Sequence, residues 1–132
     1  MKFHYKKYSN NILRPIIPIV LKNKNLKIGY EVLIDSRADI CIFNAEIGEI
    51  LGLEIEKGKI QEMFGIGGKS SFYYLHKITI EVGGWPYEIE AGFMPNVSGK
   101  ITRYGVVGQK GFFDKFITTF NFKKGLIEIK PI

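Results

Sequence analysis

The chain has one cysteine, two histidines and three aspartates among its 132 residues, and each scarcity removes a class of chemistry. A single cysteine cannot form an intramolecular disulfide, so nothing about the redox compartment follows. Cys41 lies in the apolar run Ile40-Cys41-Ile42-Phe43, where a free thiol behaves as a small buried hydrophobe. A nucleophilic cysteine needs a base at its side, and the sequence places neither His4 nor His76 there. One cysteine and two distant histidines also miss the spacing of zinc ligands. Gly68-Lys69-Ser70 runs into the strand-like Phe72-Tyr73-Tyr74 rather than opening a phosphate-binding helix. No metal or other cofactor is expected.

Long apolar runs are missing too. The longest candidate, residues 15–21, is far short of the roughly 20 residues a membrane-spanning helix takes. Residues 1–8 are basic but lack the apolar stretch of about 7–15 residues that marks a secretion signal. A cytoplasmic protein without membrane contact is the expectation. The net charge is +6, with lysines crowded into the first fifth and the last ten residues. Such charge can attract nucleic acid, but no nucleic-acid motif accompanies it, so it reads as a solvated face.

Long helical periods are absent as well. What remains is glycine-punctuated short apolar stretches, the pattern of an all-β chain. Residues 1–13 read as a polar arm and residues 14–132 as one domain, a size that buries its own core without staples. Strands are expected at 15–21, where two prolines restrict it to an edge or a strand start, and at 27–34, 40–43 and 105–108. Asn44 can cap a short helix over 45–51 that places Ile47, Ile50 and Leu51 on one face and stops at Gly52. Ile78, Ile80 and Val82 alternate with Lys77, Thr79 and Glu81, a half-buried strand, and Gly83-Gly84 is a hairpin turn. Residues 111–116 suit one or two helical turns, and 117–122 and 126–129 a closing hairpin. Regular strand spacing with one or two short helices points to a closed, barrel-like β domain.

Asp35 stands out among the aspartates. It follows three apolar residues and precedes Ser36, Arg37, Ala38, Asp39 and a second apolar stretch. A carboxylate pinned between two buried strands loses mobility and solvent, which suits it to general acid–base work. The simpler reading is a turn aspartate that bonds its own backbone, and both readings stand on these residues alone.

Three motifs in order resemble the retropepsin-like aspartic proteases. The first is Val32-Leu33-Ile34-Asp35-Ser36-Arg37-Ala38-Asp39-Ile40. The second is the glycine-rich hairpin Phe64-Gly65-Ile66-Gly67-Gly68, at the place of the family's flap. The third is Val106-Val107-Gly108 leading into residues 109–116, a segment closer to single-domain prokaryotic members than to viral ones. The resemblance covers roughly residues 14–132. It implies an aspartic endopeptidase in which Asp35 is catalytic and a homodimer completes the site, because the chain carries one motif and Asp114 is in the wrong context for a second. By the same resemblance Ser36 would bond across the dimer, Asp39 would orient substrate or brace the interface, and residues 126–132 would pair with the twin. The family has glycine where this chain has Arg37. An arginine aimed at the carboxylates would favour their ionised form, and a positive φ there would add strain of about 1–3 kcal/mol. Reduced activity is therefore expected, and the alternative is an inactive peptide-binding module of the same fold.

Overall fold

The computed structural model describes residues 1–64, 70–95 and 104–132. Alternation of buried and solvated side chains builds most of it. Strand β4 (Ile16–Asn23) buries Ile17, Ile19 and Leu21 and turns through Lys24, whose φ is 54°, into β5 (Leu26–Ile34). The two pair antiparallel from Asn23↔Leu26 back to Ile16↔Leu33. The next strands are β6 (Ile42–Asn44), β7 (Lys59–Phe64), β8 (Ser70–Val82), β9 (Trp85–Met94) and β10 (Gly105–Val107). On β8, Ile78, Ile80 and Val82 are buried, as their alternation requires. Gly83 and Gly84 take φ of 56° and 83°, the two left-handed residues of a type I′ hairpin turn, and lead into β9.

These strands form one sheet in the order β4-β5-β10-β6-β9-β8-β7, with a further pairing of β4 to β8. That pairing closes β4, β5, β10, β6, β9 and β8 into a ring, with β7 outside it. It starts at Val20, past Pro18, which lacks the N–H for a second ladder. Ile17, Val32, Phe43, Ile80, Ala91, Phe93 and Val107 fill the ring's interior.

The remaining strands depart from expectation. Residues 1–13, expected as an arm, carry β1 (Lys2–His4), β2 (Lys6–Ser9) and the start of β3 (Ile12–Arg14). β1 pairs with β12 (Leu126–Pro131), and β12 also pairs with β11 (Phe116–Asn121). The last strand is thus central in its own chain, flanked by β1 over Leu126–Glu128 and by β11 along its length. β2 and β3 form a separate two-stranded hairpin.

Helix α1 (Ala45–Ile50) starts after Asn44, whose side chain makes no capping bond, and stops before Gly52 at φ 78°. Its inward face is Ala45 and Gly48 rather than the expected Ile50, which is 56% exposed. Gly48 has no room for a side chain against Ile55 and Phe93, so the helix packs by its smallest residues. Ile55–Lys57 makes a single 3-10 turn. The helix expected over 111–116 is a succession of turns, because Gly111 sits at φ 98°, outside helical space. Asp114 Oδ1 accepts the Gly111 N–H there at 2.9 Å. No helix of the described residues is long and apolar enough to cross a membrane.

Those turns still anchor the core. Phe112 is fully buried with its ring 5.3 Å from that of Phe116. Phe112→Ala should cost about 3–5 kcal/mol in urea unfolding, whereas Ile50→Ala should stay within about 0.5 kcal/mol.

Candidate active site

The Asp35 loop is fixed by parallel strand pairing. β10 lies beside β5 in parallel register, Val107 against Ile34. The ladder runs one residue past β5, because the Asp35 N–H donates to the Val107 carbonyl at 3.0 Å. On the other side of β5, the Ile34 N–H donates to the carbonyl of Pro15 at 3.0 Å. The loop then folds on itself: the Ala38 N–H reaches the Asp35 carbonyl at 3.2 Å, and the Arg37 N–H reaches Asp35 Oδ1 at 2.9 Å. This is the turn bond that the simpler reading of Asp35 anticipates. It engages one carboxylate oxygen.

A second strand of chain runs alongside and laces the loop down. The Gln109 N–H donates to Ala38 O at 2.8 Å, the Lys110 N–H to Asp39 O at 3.0 Å, and the Gln109 side-chain amide to the carbonyl of Ser36. Gly108 sits at the tightest point. A Cβ there would land on the carbonyl of Ala38 and 2.7 Å from that of Ile40. Both are backbone atoms, which cannot rotate away. Gln109 directly follows the Val106-Val107-Gly108 motif, and its side-chain bond spans 73 residues, a separation no local pattern reports.

In the single chain Asp35 and Ala38 are half-buried, while Ser36, Arg37 and Asp39 are exposed. Arg37 is not among the residues with positive φ; the non-glycine ones are Asn11 and Lys24. Among the described residues no ion pair involves the Arg37 guanidinium. Its backbone bond to Asp35 uses an N–H that glycine and arginine supply equally. The expected strain at position 37 is therefore absent.

An apolar cavity of about 270 Å³ opens beside the loop. Ala38 from the loop, Ile42 from β6, Met63 from β7, Met94 from β9, and Tyr104 and Val106 line it. Met63 belongs to the antiparallel β7–β8 hairpin, which is paired as far as Phe64↔Ser70. The expected flap tip, Gly65, Ile66, Gly67 and Gly68, lies outside the described residues, as does the Phe64 side chain. Sequence reading missed Met63, Met94 and Tyr104, which are far apart in the chain and converge only through the sheet order.

Cys41 sits behind the loop, fully buried, with its thiol 3.5 Å from the Lys110 carbonyl. Burial pushes that thiol up to about 12. Burial also raises the Tyr87 hydroxyl, which donates to the Gly111 carbonyl at 2.8 Å. Among the described residues no cluster of three or more His, Cys, Asp or Glu could hold a metal.

A closed ring of strands with a carboxylate-bearing loop at the ends of two parallel strands is the fold of retropepsin-like aspartic proteases. A retropepsin-like aspartic protease from Rickettsia conorii has a similar structure, with a TM-score of 0.66 at 13% identity over 96% of this chain and 88% of that one. The EIAV protease in an inhibitor complex aligns more loosely, with a TM-score of 0.48 at 18% identity over 72% of this chain and 81% of that one. No family model and no curated protein matches the chain.

Two outcomes follow from this geometry. Gly108→Ala should lower stability by several kcal/mol, since a new atom meets fixed backbone, and should shift the amide resonances of residues 35–39 in a heteronuclear NMR spectrum. The native Cys41 thiol should stay unreactive toward a disulfide reagent at pH 8 and react fully in denaturant, since thiolate is the reactive form. Because its folded value is raised, stability from this group is fully present at neutral pH and falls only as the pH rises past the ordinary thiol range.

Proposed function

We propose that two copies of the chain form an aspartic endopeptidase in which an Asp35 from each meets across a twofold axis. One observation carries this reading: the Asp35 loop and the β7–β8 hairpin face one apolar cavity, with Ala38 and Met63 both in its wall. A catalytic carboxylate needs fixation, a neighbouring substrate pocket and a cover, and these elements supply the first two and the arms of the third.

The chemistry is that general to aspartic proteases. Like charges about 3 Å apart cannot both ionise, so the pair shares one proton. The ionised carboxylate takes a proton from water, whose oxygen attacks the peptide carbonyl carbon. The protonated carboxyl gives its hydrogen to the carbonyl oxygen. Collapse of the tetrahedral intermediate breaks the C–N bond, and the amine leaves with a proton from the pair. The pair titrates as a unit. In each protomer the Arg37 N–H holds one Asp35 oxygen at 2.9 Å, leaving the other for water or the twin. The cavity wall suits an apolar side chain beside the scissile bond, and Met63 and Met94 can adjust to its shape.

Arg37 sets the level of activity. With its side chain exposed and its backbone unstrained, it acts through charge and bulk. Two guanidinium groups enter one site, favour ionised carboxylates and narrow access. The second reading, a module that holds peptide without cutting it, rests on that same charge.

A peptide library at pH 4–7 separates the two. The native chain should cleave slowly, Arg37→Gly about tenfold faster, a gain of about 1.4 kcal/mol in the barrier. Asp35→Asn should lose about 10²–10⁴-fold. Cleavage that survives Asp35→Asn would rule out the endopeptidase, and no gain from Arg37→Gly would remove the arginine from the explanation.

A further inference from the structure

We infer that the β2–β3 hairpin is the surface on which the second copy docks. The inference rests on the paired reading above and adds where the pairing occurs.

A twin that brings its own Asp35 to this one must land beside the Asp35 loop. β3 runs directly into Pro15, whose carbonyl holds the N–H of Ile34, one residue before Asp35. Tyr8 and Arg14 of the hairpin share a small cavity with Leu33 and Val106, the outward residues of β5 and β10. The last strand, in contrast, already pairs with β1 on one edge and β11 on the other.

The hairpin is also unfinished as a structure. Two strands alone are marginal in water, and among the described residues β2 and β3 pair only with each other. One face is fastened to the body. The Tyr8 and Tyr104 rings are 6.2 Å apart and the Lys6 ammonium pairs with Glu31, while within the hairpin the Arg14 guanidinium lies 3.9 Å from the Tyr8 ring. Ile12 and Leu13 are 44% and 41% exposed. They line an open hollow with Lys7 and Phe122, the latter 65% exposed.

A twofold axis brings a strand antiparallel to its own copy, so an unpaired β-edge is a natural isologous contact. The hairpin by itself is smaller than the roughly 800 Å² per partner that a stable interface buries. The hollow floored by Phe122 supplies the rest by receiving the twin's hairpin. Lys6 pairs with Glu31, whereas Arg14 keeps its charge over the Tyr8 ring, so Lys7 and Arg14 are the hairpin charges the twin brings near. Salt screens like charges, so association should strengthen as salt rises.

Sedimentation of the full chain at 0.15 and 0.5 M NaCl tests this. Leu13→Asp and Ile12→Asp should each weaken the dimer about 30-fold or more, the size of an interface hot spot, and Ile117→Asp on the edge of β11 should not. Both hairpin positions are exposed, so the variants should keep the native circular dichroism. In the unmodified chain, amides of residues 6–14 should gain exchange protection as concentration rises, a readout that needs no variant. A dimer that survives both hairpin changes and yields to Ile117→Asp overturns the inference and leaves the paired reading standing. A native chain that stays monomeric at every concentration overturns both.

Discussion

The parallel register of β5 against β10 is the constraint on which the site depends. It places Asp35 one residue beyond a buried strand end and gives its N–H a fixed partner, the Val107 carbonyl at 3.0 Å. Parallel ladders need long crossovers, and here the crossover carries β6 to β9, which include the pocket strands and β8, the strand that closes the ring against β4. The pocket wall and the fixation of the carboxylate are therefore two results of one closure. Gly108 shows how tight that closure is, since its missing side chain is what lets the 109–110 backbone lie against residues 38 and 39.

Position 37 separates local structure from chemistry. The bond to Asp35 Oδ1 comes from backbone, so the side chain is free to vary without loosening the loop. Under the proposed pairing, arginine changes the electrostatics of the shared site rather than its scaffold.

Much of this was legible in the sequence because it is encoded locally. The alternation on β8, the Gly83-Gly84 turn and the apolar strand before Asp35 each read correctly from neighbours along the chain. The failures are long-range. Residues 1–13 look polar and unattached until β1 meets β12 from the other end of the chain, a pairing that leaves no mark in either segment. Residues 111–116 suit helical turns, but Gly111 takes a φ of 98°, and a side chain there would crowd Cys41, whose thiol meets the Lys110 carbonyl 69 residues away in the chain. Ile50 falls in line with Ile47 and Leu51, yet α1 docks on Gly48 because the space toward Phe93 admits nothing larger. The pocket residues Met63, Met94 and Tyr104 carry no motif; the strand order β10-β6-β9-β8-β7 brings them together.

The separation of the two Asp35 carboxylates in a crystal structure of the associated protein is the most direct test. Shared-proton chemistry requires their nearest oxygens to lie about 3 Å apart, with a glycine hairpin from each copy above them. Two copies joined with those carboxylates remote from one another, each facing solvent, would contradict the account.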